Sequence, residues 1–341
     1  MDYKVKLKPY LPIIYFCLFL SLFLIAFYRG NSIVLKSEKE FKTSKSSSEA
    51  IATSYSLKEI DAKTGLLRWV LTAKDGVTGA NLKSVIINNI TAKVYNGRKI
   101  AYKLFAPKGR ADSKTKEIFL FGGVVTESAN GDFKLLSSTV NIDGNASINT
   151  PESFHLILMG KGDIYGTEAK VNDDQTEIAI KSLDKADMEN ILLSGSNVKI
   201  NRDDKGDLLS ANILNGGKII LKKVDNNSLT ANTIKWLKDG SVEALSKVVY
   251  TSKDSTLTAN KLTMKGDGKI YASNHVKIIY GDTICTGDKL TFEDKSNIII
   301  SGSPEAIQNG KVINADKILY NTKSGKVEAL GNVRITSKTN A

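Results

Sequence analysis

Cysteine and histidine are nearly absent from this chain of 341 residues, which has two of each. Cys17 lies in an apolar run and Cys285 lies far along the polar part, so we expect no intramolecular disulfide. Neither His155 nor His275 has a cysteine or a second histidine at ligand spacing. The sequence therefore predicts no metal site, and we interpret both histidines as hydrogen-bonded residues of strands.

Motifs for ATP hydrolysis and nucleophilic catalysis are also missing. No glycine–lysine pair, such as Gly217-Lys218, stands in a Walker A context. No Gly-x-Ser-x-Gly elbow occurs, although a Ser-His-Asp triad needs no fixed spacing. Asp173-Asp174 and Asp203-Asp204 stand beside Asn, Gln, Lys and Gly, which favours turns over calcium binding or catalysis. We predict a protein that is not an enzyme and has no catalytic residues, metal or cofactor.

Arginine is scarce, with six residues in a chain of formal net charge +12. Lysine therefore carries the positive excess, which could attract anionic partners such as nucleic acid or a membrane surface. A lysine-rich composition that serves only solubility is the alternative. Readers of DNA bases favour the arginine fork, and no run of basic and aromatic residues is present. We therefore expect no nucleic-acid binding.

The sequence contains a long apolar run near the N-terminus, which follows Lys4, Lys6 and Lys8. With its flanks it has about 20 residues, enough to cross a hydrocarbon core of about 30 Å. A cleaved signal peptide is the alternative, but the first Ala-x-Ala, Ala50-Ile51-Ala52, lies too far downstream. We predict a cytoplasmic tail at 1–10, an uncleaved transmembrane anchor at 11–28 and a flexible tether at 29–50.

After the tether the chain consists of short apolar segments separated by turn residues. Asn96-Gly97 is the dipeptide most favoured in two-residue hairpins. Regularly spaced strands with few helical stretches predict an all-β chain. The predicted strands of the first half are 55–61, 66–71, 88–95, 99–105, 118–125, 133–142, 154–159 and 191–200.

The stretch 229–337 contains four copies of one pattern, 28 residues apart. The repeated positions are a small residue at Ala231, Ala259, Gly287 and Ala315, and an apolar residue at Ile234, Leu262, Leu290 and Ile318. A fixed period of this size is typical of stacked supersecondary units. Alternation as in Val276-Lys277-Ile278 indicates strands, and a change of apolar parity at Asn260-Lys261 predicts a corner in each copy. Accidental similarity within an ordinary sandwich is the alternative.

Four segments of the first half, at 57–61, 119–124, 135–143 and 160–166, resemble the LptC family. That family supplies the inner-membrane-anchored periplasmic bridge of lipopolysaccharide export. The repeats are similar to the LptA/OstA-like periplasmic bridge through Leu-x-Ala-Asn/Asp followed by Gly-x-Val-x-Ala. An ordinary LptC-like chain stops after the first half, so this chain resembles a fusion. We predict an LptC-like domain at 51–195 and an LptA/OstA-like repeat domain at 196–341.

The resemblance implies a single transmembrane helix followed by a twisted open β-jellyroll with solenoid-like repeats. Stacked strands would line a trough for acyl chains, each CH2 of which costs about 0.8 kcal/mol in water. The predicted lining residues are Leu257, Leu262, Ile270, Val276, Ile278, Leu290, Phe292, Ile318, Val327, Val333 and Ile335. The alternative is that these residues fill a closed core and touch no lipid.

The resemblance also implies the partners of a bridge in lipopolysaccharide export. Lipopolysaccharide, through its lipid A acyl chains, is the implied cargo. Unpaired strands at the two ends of the sheet would bind an inner-membrane ABC transporter β-domain first, and a further bridge protein or the outer-membrane translocon last. The predicted edge residues are Tyr55, Leu57 and Ile60 at the first end and Val333 and Ile335 at the last. The implied location is the inner membrane, single-pass, with the bulk in the periplasm.

Two other classes of protein stay open on the sequence alone. A membrane-anchored β-solenoid with a structural or adhesive role would have the same repeats with a closed core. A carbohydrate-active enzyme on a parallel β-helix would have carboxylates and aromatic residues clustered on one face. The aromatic content of 7% and the lack of a repeated Asp/Glu pair disfavour that enzyme.

Overall fold

The fold is entirely β in the part of the chain that the computed structural model describes. That part comprises residues 50–78, 84–112, 114–203, 208–222, 227–292 and 296–337. Within these ranges there is no helix long and apolar enough to span a membrane. The predicted cytoplasmic tail and anchor, and the predicted tether up to residue 49, lie outside the described residues.

The first half contributes twelve strands, most of them longer than ten residues. They are β1 (Ala50–Ala52), β2 (Tyr55–Ile60), β3 (Leu67–Thr78), β4 (Ser84–Asn96), β5 (Lys99–Asp112), β6 (Ile118–Ser128), β7 (Phe133–Ile142), β8 (Ile148–Leu158), β9 (Gly162–Val171), β10 (Glu177–Met188), β11 (Ile191–Arg202) and β12 (Leu208–Leu221).

The second half also contributes twelve strands, and several of these are short. They are β13 (Asn227–Ala231), β14 (Thr233–Leu237), β15 (Val242–Thr251), β16 (Ser255–Met264), β17 (Ile270–Tyr280), β18 (Thr283–Phe292), β19 (Asn297–Ser301), β20 (Glu305–Gln308), β21 (Lys311–Asn314), β22 (Lys317–Asn321), β23 (Val327–Leu330) and β24 (Arg334–Ser337).

The 24 strands of the described residues belong to one antiparallel sheet, in which most strands pair with the next strand along the chain. The predicted hairpin is confirmed, because Asn96 pairs with Lys99 across two residues and Gly97 has a φ of 59°. The predicted boundary between residues 195 and 196 falls inside β11, which pairs with β10 and β12 along its length. The division into two domains therefore stays a prediction.

The long strands bend in the middle, which folds the sheet into two arms. In β16, residues up to Thr258 pair with the end of β17, whereas residues from Lys261 pair with its beginning. This irregularity confirms the corner predicted at Asn260-Lys261. The neighbouring strand β17 bends at Asn274 and His275, which have φ values of 66° and 58°. The result is a jellyroll-like fold.

The names arm I and arm II refer to the two sides of this line of bends. Arm I contains residues 255–258 of β16 and 276–280 of β17, together with the half-strands paired in line with them. Arm II contains residues 261–264 and 270–273 and the half-strands in line with those. Because the sheet has two arms, each of its two ends has two edge strands, one in each arm.

The small residues of the 28-residue repeat lie on the inner side of the bend. A Cβ atom at Gly287 would lie 2.7 Å from Cγ2 of Ile300, so there is no room for a side chain there. Ala231 and Ala259 occupy the equivalent positions and are buried. The apolar residue three positions later, as in Leu262, is fully buried on the other side of the bend. The small residue recurs every 28 residues because each copy has a sharp corner whose inner side leaves little space for a side chain.

The apolar core consists of two clusters along the sheet. The first runs from Trp69 to Ile148, with Trp69 and Leu104 fully buried. The second runs from Phe154 to Tyr320 and contains the repeats. Inward-facing residues alternate with exposed ones on each side of the bend, as expected for strands that cover a core on one face only.

The ends of the sheet each present two strands, one in each arm. At the first end β1 and β2 have β3 as their only neighbour among the described strands. At the last end β23 pairs only with β22, and β24 only with β21, within the same part of the chain. The sequence predicted β2 and β24 as edges but not β1 or β23, because no sequence pattern indicates that each end of the sheet has two strands.

Candidate functional site

An apolar cavity of about 200 Å³ lies between the two arms in the second half of the chain. Arm I contributes residues from β13, β15, β16 and β17, and arm II contributes residues from β17, β18 and β19 and the turn after β22. The lining residues are Asn227, Tyr250, Ser252, Ser255, Leu257, Ile270, Ile278, Tyr280, Leu290, Phe292, Ile298 and Thr322.

The apolar lining of the cavity consists of aliphatic side chains and one phenylalanine, contributed by both arms. Leu257 and Ile278 are cross-strand partners in arm I, and both are buried. Ile270 opposes Phe292 in arm II, and Leu290 lies two residues away on the same face. These five are among the predicted trough residues.

The rim of the cavity is polar but uncharged. Nδ2 of Asn227 donates a hydrogen bond to Oη of Tyr250 at 2.8 Å. Burial raises the pKa of Tyr250, although this bond acts in the opposite direction. None of the cavity's lining residues carries a charge at neutral pH, in a chain with 25% charged residues. The cavity therefore offers apolar contact inside and hydroxyl and amide groups at its edge.

Contacts between the arms border the cavity towards the C-terminus. The rings of Tyr280 in arm I and Tyr320 in arm II lie 5.4 Å apart. Nε2 of Gln308 in arm I donates to the backbone oxygen of Gly325 in arm II at 3.0 Å, and within arm I it also donates to Oγ1 of Thr283 at 2.9 Å. Cys285 is buried nearby in the same cluster, and burial raises the pKa of its thiol to about 11.

The other predicted trough residues lie elsewhere. Leu262, Val276 and Ile318 are buried beside the bend, deeper than the cavity. Val327 is partly buried in the terminal strand β23 and packs against the second cluster. Val333 is 48% and Ile335 is 61% exposed at the last end of the sheet, so these two side chains line no closed core. The assignment of a lipid-binding role to any of these residues stays a prediction.

The polar residues at the rim and Ile298 were not among the residues predicted from the sequence. The available signal was the position of Tyr250 and Tyr280 just before the turns that end β15 and β17. Aliphatic alternation alone selects the inward face of a strand. It does not tell which inward residues lie near the open side, because that depends on where the strand bends.

The histidines and Asp174 have local roles, whereas Asp204 of the second acidic pair lies outside the described residues. Nε2 of His155 lies 2.7 Å from Oδ1 of Asp163, and its ring stacks on Tyr165. His275 lies at a bend, with Nδ1 3.2 Å from Nδ2 of Asn260. Oδ1 of Asp174 accepts the backbone N–H of Thr176, which is the predicted turn chemistry. No group of three potential metal ligands occurs among the described residues.

Fold and cavity together define a class: a long antiparallel β-jellyroll-like protein with an uncharged apolar cavity between its arms. Over residues 14–189, just over half of its length, the chain matches the family described as LptC, lipopolysaccharide-assembly, LptC-related. The chain belongs to the LptC family of lipopolysaccharide transport proteins. These are non-enzymatic bridge components, so the prediction that the protein is not an enzyme is confirmed.

Comparisons with solved structures and curated proteins add little. The crystal structure of LptH, the LptA homologous periplasmic component of the lipopolysaccharide transport device from Pseudomonas aeruginosa, is 19% identical with a TM-score of 0.28, covering 29% of this chain and 85% of that chain. An oligogalacturonate lyase in complex with manganese is 10% identical with a TM-score of 0.16, and the match covers 84% of this chain and 86% of that chain. Similarity at this level supports no conclusion about function. No curated protein matches the chain.

Proposed function

We propose that the protein is a membrane-anchored periplasmic bridge. It receives lipopolysaccharide from an inner-membrane ABC transporter and passes it along an apolar path between the two arms towards the outer membrane. Membership of the LptC family supports the transport role. The observation that carries the proposal for this chain is the cavity between the arms, whose lining is aliphatic or aromatic inside and uncharged throughout.

The acyl chains of lipid A suit such a lining, because each buried CH2 contributes about 0.8 kcal/mol. The cavity of about 200 Å³ is nevertheless smaller than the roughly 300–1,000 Å³ of ordinary ligand pockets. A lipid with several acyl chains therefore requires the arms to separate. The bend allows this movement, since the described contacts that join the arms at the cavity are a ring contact and the hydrogen bond from Gln308 to Gly325.

The proposal places the protein in the inner membrane by the anchor at 11–28, with residues from about 51 onwards in the periplasm. The LptC-like part at 51–195 would receive the lipid, and the repeats at 196–341 would extend the path. The first end of the sheet, with Tyr55, Leu57 and Ile60 in or beside β2, would pair with the transporter β-domain. The last end, with Val333 and Ile335, would pair with a further bridge protein or the outer-membrane translocon.

Photocrosslinking in cells tests the path directly. A photoreactive phenylalanine analogue at Phe292, which lines the cavity, should form an adduct with lipopolysaccharide. The matched control is Tyr271, an aromatic residue on the neighbouring strand that is 36% exposed on the outer face. The expected result is an adduct at position 292 and none at position 271. Equal adducts at both positions, or none at either in a folded protein, would refute lipid passage through this cavity.

A further inference from the structure

A polar contact joins the arms at a second place, between the two apolar clusters. Arg202 ends β11 in arm II, and its Nη2 donates to the backbone oxygen of Gln175 at 2.5 Å. The same nitrogen lies 3.4 Å from Oη of Tyr102, on β5 in arm I. Gln175 belongs to the turn between Val171, which packs on the first cluster, and Ile178, which packs on the second.

Two hydrogen-bond donors at this contact have no acceptor. Nε of Arg202 and Nε2 of Gln175 are shielded from solvent and have no partner among the described residues. Gln175 is only 7% exposed, so its amide cannot turn to bulk water. A buried donor without an acceptor costs about 1–3 kcal/mol. Because both groups are donors, a single acceptor with several oxygen atoms would satisfy them together.

The turn that carries Gln175 is fixed by its own hydrogen bonds. Oδ1 of Asn172 accepts the backbone N–H of Glu177 at 3.0 Å, and Oδ1 of Asp174 accepts the backbone N–H of Thr176 at 3.0 Å. The backbone N–H of Arg202 donates to the oxygen of Thr176 at 2.8 Å, which ties β11 to the turn. The backbone that carries both donors is therefore fixed before any ligand arrives, which lowers the cost of binding.

The guanidinium group of Arg202 has no carboxylate partner in the described part of the chain. Nearby carboxylates contact lysines instead: Asp203 lies 3.8 Å from Lys238, and Glu177 lies 2.7 Å from Lys199. Arginine is the side chain best suited to planar, multiple hydrogen bonding with phosphate. In a chain whose positive charge comes mainly from lysine, one of the six arginines occupies this place.

We propose that Arg202 and Gln175 form a binding subsite for a phosphate group, presented by a phosphorylated lipid at the junction of the two clusters. The proposal rests on the proposed function for the lipid, but the donors would bind phosphate whatever carries it. A phosphate offers several acceptor oxygens to Nε and Nη2 of Arg202 and to Nε2 of Gln175. It would compete with Tyr102 for Nη2 and so loosen the contact between the arms.

Binding of three probes to the full-length protein in detergent tests the subsite. The probes are bis-phosphorylated lipid A, the same lipid with its phosphates removed, and inorganic phosphate. We expect the wild type to bind the phosphorylated lipid roughly tenfold more tightly than the dephosphorylated one, as for a charge-assisted hydrogen bond. Arg202→Met and Gln175→Leu should each reduce this ratio to about twofold or less. Arg110→Met, at an exposed arginine of β5, is the control and should keep the ratio.

The outcomes separate the subsite from the lipid path. Equal affinity of the wild type for both lipids, with no increase in Tm by phosphate, overturns the subsite while lipid carriage stands. If neither lipid binds but phosphate raises the Tm of the wild type and not of Arg202→Met, the subsite holds free phosphate and the proposed function fails. If neither lipid binds and phosphate does not raise the Tm of the wild type, both proposals are wrong. Should Arg202→Met fail to fold, Gln175→Leu decides by the same ratio.

Discussion

Cys285 illustrates how burial sets the chemistry of a single residue in this fold. Its side chain is 2% exposed beside the cavity, and burial raises the pKa of its thiol to about 11. The unfolded thiol ionises near pH 8.5. The folded state therefore holds a proton that the unfolded state releases between these two values, so stability falls as the pH rises through this range.

We expect the free energy of unfolding of the wild type to fall, relative to that of Cys285→Ala, by roughly 2–3 kcal/mol between about pH 8.5 and 11. Lysines and tyrosines titrate in both proteins, so the difference between the two urea unfolding curves isolates the thiol. Both should carry Cys17→Ser, so that the Cys285 thiol is the only one in the first protein and the second has none. Parallel pH dependence in the two proteins would contradict the buried, protonated thiol.

Gly287 departs from the alanine of the other repeat copies because its neighbours leave no space for a Cβ atom. Alanine occupies the equivalent position in the other three copies, at Ala231, Ala259 and Ala315. A Cβ at Gly287 would lie 2.7 Å from Cγ2 of Ile300 and 3.0 Å from the backbone oxygen of Ser301. The repeat pattern alone would favour alanine at this position.

Gly287→Ala should destabilise the protein by about 1–3 kcal/mol, because it overpacks the inner corner. The same substitution in an Ile300→Ala background should cost less, since Cγ2 is then absent. Thermal unfolding of the four proteins of this double-mutant cycle measures the coupling. An unchanged or increased Tm for Gly287→Ala would show that the corner can relax.

At the scale of the element, the strands at the ends of the sheet differ from those inside it. β24 pairs only with β21 within the described strands, and all four of its residues are exposed. Exposed apolar residues at a sheet edge, such as Ile335 in β24 and Val333 just before it, invite another strand. Interior strands, in contrast, have two neighbours and an apolar face that is covered.

A photocrosslinker at Thr336 should form adducts with another envelope protein in cells, and Ile335→Pro should weaken them several-fold. Proline removes a backbone N–H and is tolerated poorly where a strand pairs. Lys338→Pro, which follows β24 in sequence, is the control and should have little effect. Adducts with this chain alone, or no adducts in cells with an intact envelope, would mean that β24 is a terminal strand without a partner.

At the scale of the whole molecule, the described residues form one sheet with two apolar clusters, so we expect a local defect to affect stability locally. Leu104 in the first cluster and Leu262 in the second are both fully buried. In stacked architectures each unit contacts mainly its neighbours, so a local defect is felt nearby. A compact protein with a single core would instead lose stability as a whole.

We expect Leu262→Ala to cost about 2–5 kcal/mol and to lower amide protection mainly in strands of the second cluster. Leu104→Ala is the matched substitution and should lower protection mainly in the first cluster. Hydrogen exchange of the full-length protein, read by mass spectrometry, measures both. Equal loss across both clusters in either variant would show that the sheet unfolds as one cooperative unit.

The sequence by itself determined the all-β class, the period of 28 residues and the corner in each copy. These follow from local alternation, from Gly and Asn at turns, and from small residues where the sheet bends. Local chemistry fixes them because a strand residue's face depends only on its position relative to its neighbours.

The tertiary structure alone decided which inward residues surround the cavity. Leu257, Ile278 and Leu262 look alike in sequence, yet the first two line the cavity and Leu262 lies beside the bend. The contact of Arg202 with Tyr102 joins residues 100 positions apart, and no pattern in the sequence indicates it. Distances of this kind depend on how the two arms face each other, which is set by the whole sheet and not by any single strand.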